Sequence, residues 1–210
     1  HHQHYFKDLM LVNPPYVDTL VFRREYSKLA AYAGRMSDYG YNAIAFPNFL
    51  EFINFEKVGN GKQVYGGESV YRERHDRLTK AFSRFMEVAA DSGLHPYLWT
   101  DMVSLTTPLK LYLEDRFGSI DTENPEMWEV YGKAAEEAFE KFPFVDGMIL
   151  LIGEAGSIYN KTGWDYSSEL YVKTDRAVKL MLEAFLEAAE KYDRTIIFRT
   201  WSVAGRRPRI

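Results

Sequence analysis

The most constraining stretch of this chain is Met148-Ile149-Leu150-Leu151-Ile152-Gly153-Glu154, an unbroken apolar run that ends in a glycine and a carboxylate. A run of this length and composition reads as a strand buried on both faces, the signature of a parallel sheet covered by helices. In α/β barrels the carboxyl ends of the strands gather the catalytic groups. Glu154 therefore stands where chemistry is expected, although a solvated or ion-paired loop glutamate is the plainer reading of the same residue.

The rest of the chain repeats the pattern. Phe22, Tyr26, Leu29, Ala30, Ala33 and Met36 follow the helical period up to a stop at Asp38-Tyr39-Gly40, and a short strand over 42–47 then ends in Asn48. A second helix, carrying Leu78, Phe82, Phe85, Val88 and Ala89, precedes the strand Leu94–Trp99, which delivers Thr100-Asp101. A third opens at Asn124-Pro125, buries Trp128, Tyr131, Ala135, Ala138, Phe139 and Phe142, and leads to the strand of Glu154. The fourth carries Val178, Met181, Leu182, Phe185, Ala189 and Tyr192 ahead of Thr195-Ile196-Ile197-Phe198, which ends in Arg199-Thr200-Trp201.

Between these units the segments 49–74, 102–123 and 155–168 read as long loops, with a small hairpin entertained in the first. The two prolines of Asn13-Pro14-Pro15-Tyr16 make the opening segment another loop.

Helix, turn, strand, polar residue thus recurs four times, and Asn48, Asp101, Glu154 and Arg199 are 53, 53 and 45 positions apart. Strict alternation predicts parallel strands joined by right-handed helical crossovers. No G-x-G-x-x-G turn separates a strand from a helix, so a partial (β/α)8 TIM barrel is favoured over a doubly wound sheet. Units of about 50 residues exceed the roughly 31 of an ordinary barrel, which places the excess in the strand-to-helix loops that build active sites. Eight such units need about 400 residues, so residues 1–210 are expected to form about half of a barrel.

Composition excludes more than it identifies. The 210 residues are 46% hydrophobic and 27% charged, an ordinary globular balance. A net charge of −4 gives no electrostatic reason to expect nucleic acid, and no 18-residue apolar run exists to cross a bilayer. The absence of cysteine removes disulfides and thiolate metal sites and fits cytoplasmic, periplasmic or secreted settings alike. The chain opens on His1 and stops soon after an apparent strand, the marks of a fragment. His1-His2-Gln3-His4 reads as native sequence in preference to a tag, with no partner at ligand spacing to make it a metal site.

Polar strand ends beside Trp99, Trp164 and Trp201 point to a ligand with hydroxyls to bond and flat apolar faces to stack on, which describes a sugar. Glycosidic cleavage needs a protonated carboxyl for the leaving oxygen and a second carboxylate as nucleophile or base. Glu154 is the candidate acid. Asp101 is a candidate partner or a cap for its own loop, and a carboxylate from a later strand competes with it for the partner role. Arg199 either binds a carboxylate-bearing sugar bidentately or pairs with Glu154. Asn48 either holds a hydroxyl or stabilises its own turn. Arg72, Arg74 and His75 either face the pocket or form a solvated helix start.

Asp38-Tyr39-Gly40-Tyr41-Asn42, Tyr97-Leu98-Trp99-Thr100-Asp101, Ile152-Gly153-Glu154 and Phe198-Arg199-Thr200-Trp201 together resemble the catalytic barrel of glycoside hydrolases. The likeness is greatest to the α-glucuronidases of family 67 and their relatives, in motif order from Phe22 to Trp201. It implies an acid at the end of the fourth strand, which is Glu154 if one strand precedes His1. It further implies partner carboxylates on later strands, uronic-acid-bearing plant or bacterial glycans as substrates, polysaccharide degradation as the setting, and no metal or organic cofactor. Two other readings stay open: a barrel that only binds carbohydrate, and a metal-dependent isomerase or lyase in which Asp101 and Glu154 ligate a hard cation. Oligomeric state is left open.

Overall fold

The structure, a computed structural model, describes residues 6–47, 49–59, 61–101, 104–152, 162–166 and 168–200. In chain order the elements are α1 (Thr19–Asp38), β1 (Ala43–Pro47), a 3-10 turn (Leu50–Phe52), α2 (Val70–Asp91), β2 (His95–Asp101), β3 (Ser104–Leu105) and α3 (Thr107–Phe117). These are followed by α4 (Pro125–Lys141), β4 (Gly147–Ile152), β5 (Ser168–Glu169), α5 (Asp175–Lys191) and β6 (Thr195–Thr200).

Four strands form one sheet in the order β1-β2-β4-β6, every pair parallel. Spatial order equals chain order. A doubly wound sheet reverses direction at a switch point, whereas consecutive barrel strands do not, so these are four successive units of a partial (β/α)8 barrel. The connections agree. Helix-to-strand turns are short, and three of the four close at left-handed residues, Gly40 (φ 85°), Gly93 (φ 80°) and Asp193 (φ 53°), while the strand-to-helix segments are long.

Each helix begins at a side chain that accepts an otherwise orphaned N–H. Asp18 accepts from Leu20 N (2.9 Å) and Val21 N (3.0 Å) before α1, Ser69 precedes α2, Asn124 with Pro125 opens α4, and Thr174 opens α5. The same chemistry builds an element that sequence reading assigned to a loop: Thr106 caps α3, a proline sits in its first turn, and Gly118 ends it in the left-handed conformation. Apolar period is weak in α3, and its cap and stop residues were the available signal. Helix α2 also starts earlier than expected, at Val70, and no hairpin lies in the described parts of 49–69.

The register separates the sheet into two faces. Phe46, Leu98 and Met148 share one row with Ile196, and Thr100 and Leu150 share the next with Phe198; the apolar side chains of these rows pack into the helix-covered core. That core is dense in rings, with Phe52, Phe82, Phe85, Trp128, Tyr131 and Phe142 buried. Each such ring contributes about 1.5–3 kcal/mol by leaving water.

The alternate rows, Ala45-Tyr97-Gly147-Thr195 and Pro47-Trp99-Ile149-Ile197, face the other way. Tyr97, Trp99 and Ile149 are half-buried and Ile197 is 41% exposed. On this face of the Met148–Ile152 run, expected to be buried on both sides, Leu151 is buried and Ile149 is half-buried. The second face is the interior wall of the barrel, and four strands leave it open.

Gly147 marks the closest approach within the sheet, since a Cβ there would run into the backbone carbonyl of Thr195 on β6. Absence of a side chain at this position lets β4 and β6 lie at pairing distance.

Candidate active site

The carboxyl ends of the strands are the natural location for a site in this architecture. Across β2, β4 and β6 one register row contains Asp101, Leu151 and Arg199. Asp101 is the last residue of β2, and Arg199 is the exposed penultimate residue of β6. Trp99 lies two residues before Asp101 on the same interior face, half-buried, and its indole Nε1 is enclosed with no hydrogen-bond partner among the described residues. Glu154 follows two residues after the end of β4; Glu154, Asn48 and Trp201 lie outside the described residues, as does the side chain of Asp101.

Beside this rim, three strand-to-helix segments converge on a hub whose members sequence reading largely missed. His75 is fully buried at the start of α2. Its Nδ1 donates to Asn54 Oδ1 (3.0 Å), Tyr166 OH donates to its Nε2 (2.6 Å), and Asn54 Nδ2 donates to Asp76 Oδ1 (3.0 Å). Burial, with Lys141 and Arg74 nearby, holds the imidazole well below its ordinary pKa and so neutral. Burial pushes the Tyr166 phenol well above its ordinary range, keeping the O–H that His75 requires. The order of donors and acceptors is thereby set along the whole chain.

Arg74 sits against the same hub, 4% exposed, its guanidinium over the rings of Trp164 (4.8 Å), Tyr16 (5.6 Å), Tyr71 (5.8 Å) and Tyr166 (6.0 Å). It donates to the Val12 carbonyl (2.9 Å), which ties the opening segment to α2. A guanidinium is the cation best suited to such a cage because it is planar and weakly hydrated. Arg74 and His75 are thus internal, and the solvated helix start considered for them is corrected; Arg72, by contrast, pairs with Glu56 (2.5 Å) at the surface. Trp164 is itself buried, and its ring packs against Arg74 and Tyr166 instead of facing solvent.

Two further links complete the frame. Tyr71 OH donates to Asp165 Oδ1 (2.7 Å) and Thr107 N donates to Asp165 Oδ2 (2.9 Å), so one carboxylate joins α2, α3 and the segment after β4. Glu137 on α4 accepts from Asn54 N (2.7 Å) and Glu56 N (3.0 Å), which holds the segment after β1. The ladder of β3 with β5 is antiparallel and pairs Ser104 with Glu169. No three His, Asp or Glu side chains converge as a metal site among the described residues. None of the described helices is long and apolar enough to cross a membrane.

No protein-family model matches this chain, and no curated protein matches it in sequence. Solved structures similar to it include a β-glucosidase from Trichoderma harzianum (16% identity, TM-score 0.38), covering 82% of this chain and 36% of that one. A rice β-glucosidase mutant in a covalent complex with Glc covers 82% of this chain and 37% of its own (14% identity, TM-score 0.43). Fpglu1 from Fervidobacterium pennivoraus covers 82% and 40% (16% identity, TM-score 0.42). The chain spans well under half the length of these proteins.

Proposed function

We propose that this chain is part of the catalytic domain of a glycoside hydrolase that cleaves O-glycosyl bonds in plant or bacterial glycans. The observation that carries the reading is the single register row holding Asp101, Leu151 and Arg199, which brings three of the four strand-end motifs onto adjacent parallel strands. Neighbouring strands lie about 4.8 Å apart. Carboxyl separations of about 5–9.5 Å serve glycoside hydrolysis, the short end giving retention and the long end inversion.

In this reading Glu154 donates its proton to the glycosidic oxygen as the bond to the anomeric carbon breaks. A second carboxylate either forms the bond to that carbon or takes a proton from the water that does. Asp101 is the candidate from this chain for that second role. Arg199 presents a planar cation matched to the carboxylate of a uronic acid, the substrate class that the family 67 resemblance implies. Trp99 and Trp201 offer stacking faces, and Asn48 a hydroxyl contact. Trp164 contributes by holding Arg74, since its described position is internal.

The test uses aryl glycosides and aldouronic acids with the full-length protein. Glu154→Gln is expected to lower hydrolysis about 10²–10⁴-fold where the leaving group needs protonation, because an amide keeps the shape and cannot donate. The loss should shrink for acidic phenol leaving groups. Activity within about threefold of wild type on every substrate refutes the assignment.

A further inference from the structure

The hydrogen bonds around His75 run in one direction, and that direction is imposed from outside its ring. The Asp76 carboxylate accepts from Asn54 Nδ2 (3.0 Å), which turns Asn54 Oδ1 toward the imidazole. Nδ1 must then donate to that oxygen (3.0 Å), leaving Nε2 of the neutral ring to accept the Tyr166 hydroxyl at 2.6 Å. His75 and Tyr166 are both wholly buried. One ring therefore joins the segment after β1, the start of α2 and the segment 162–166 that follows β4.

A second proton on that ring has no place in this arrangement. Nε2 becomes a donor and the Tyr166 hydrogen loses its acceptor, in a position that water does not reach. The nearby cations oppose the added charge as well: Lys141 on α4, and Arg74 and Arg72 on α2. The acidic groups of the same segments are engaged with other partners. Asp76 holds Asn54, and Asp165 holds Tyr71 OH and Thr107 N. Glu51, whose charge bears on Tyr166, accepts from Phe49 N (3.2 Å). Tyr65 and Tyr71 meet the ring edge to face, with centroids at 5.1 Å and 6.2 Å, and burial keeps both phenols protonated.

Among the described residues the segment 162–166 is held by side chains: Tyr166 on His75, Asp165 on Tyr71 and Thr107, and Trp164 against Arg74. None of its residues belongs to the ladders of the four-stranded sheet. Segments tied in this way open at a lower free energy than the core that carries them. We propose that His75 is an acid-released latch: its ring takes up a proton as the segment 162–166 lifts from α2, which favours a local opening at the carboxyl end of the sheet while the sheet, α4 and α5 stay folded. The sign follows from the burial. The closed form refuses a proton that the open form binds below about pH 6.5, so closure weakens as pH falls. This goes beyond the glycosidase reading and is tested without substrate, so either can fail alone.

The experiment follows hydrogen exchange by NMR in the wild-type protein at pH 7.5 and 5.5, with each rate referred to that of the unstructured chain at the same pH. Two probes report the opening: the Thr107 amide, whose acceptor is Asp165 Oδ2 (2.9 Å), and the indole hydrogen of buried Trp164. Protection of both is expected to lie at least tenfold below that of the slowest amides of α4 and α5. It is expected to fall about tenfold between the two pH values, the change produced by one proton bound only in the open form at the ordinary histidine pKa of about 6.5.

His75→Gln should abolish the fall. In the wild type the His75 ring resonances should keep their neutral positions throughout the range, a readout that needs no variant. A ring that titrates near pH 6.5 with both probes still protected, protection independent of pH, or a fall that persists in His75→Gln overturns the proposal. Probes as slow as the slowest amides of α4 and α5 overturn it too, since the opening is then that of the whole molecule.

Discussion

Replacing Glu137 tests whether the segment after β1 is held by α4 or merely rests on it. The carboxylate is buried, receives Asn54 N at 2.7 Å and Glu56 N at 3.0 Å, and pairs with Lys141 at 2.7 Å. Glu137→Ala removes three interactions at once. The Asn54 amide is left in a buried setting with no acceptor, costing about 1–3 kcal/mol. The Glu56 amide is part-buried and water can reach it, so its loss is about 0.5–1.5 kcal/mol.

Lys141 is about one-fifth exposed and also donates to the Phe52 carbonyl (2.8 Å), so its charge keeps a partner. The expected total is about 2–4 kcal/mol, below the roughly 3–5 kcal/mol of a fully buried broken pair. Glu137→Gln retains one acceptor oxygen and the volume, and should lose about half as much. Urea unfolding reads the difference: the midpoint should fall in the order wild type, Gln, Ala with an unchanged slope. An alanine variant within about 0.5 kcal/mol of wild type refutes the argument, as does a glutamine variant no better than alanine.

Gly147→Ala should cost about 2–4 kcal/mol, because the added methyl forces β4 and β6 apart at the carbonyl of Thr195; a melting temperature within about 2 °C of wild type rejects that close approach. His75 gives a pH signature. Its folded pKa lies well below the unfolded value of about 6.5, so the stability it confers is full above that pH. As pH falls below about 6.5 the unfolded chain binds a proton that the folded chain refuses, and stability drops by up to about 1.4 kcal/mol per unit. His75→Gln should flatten that part of the profile between pH 7.5 and 5.5, and parallel profiles for the two proteins contradict the burial argument.

How much was legible in sequence differs between layers of the molecule. The four helix-strand units were readable because their signals are strong and local: Asn124-Pro125 is a cap and first-turn pair at the start of α4, and the short Met148–Ile152 run, with Gly147 and Gly153 at its ends, has the length of a buried strand. Parallel order followed from the alternation. Helix α3 is faint in sequence because Thr107–Phe117 has little apolar period, which leaves its Thr106 cap and Gly118 stop as the local signals amid Thr, Pro and Asp. The strand ends were legible as positions, and Asp101 and Arg199 do fall in one row.

The hub was not legible. His75, Asn54, Asp165 and Tyr166 come from three separate segments, and nothing in their local spacing announces that they meet. The signal that was available is indirect: polar and aromatic residues clustered in long segments between buried strands must find partners if those segments are to pack at all.

The two-residue ladder between β3 and β5 has a consequence for how the rim responds to load. It joins the segment leaving β2 to the segment leaving β4, and Asp165 secures the same two regions a second time through Thr107 N. Loops that leave neighbouring strands ordinarily move as separate fingers. Here backbone bonds and one carboxylate tie the two together at their described ends, so a displacement of one is expected to be felt by its neighbour. An insertion that unthreads Ser104 from Glu169 then leaves the bond from Thr107 N to Asp165 as the remaining tie between the two.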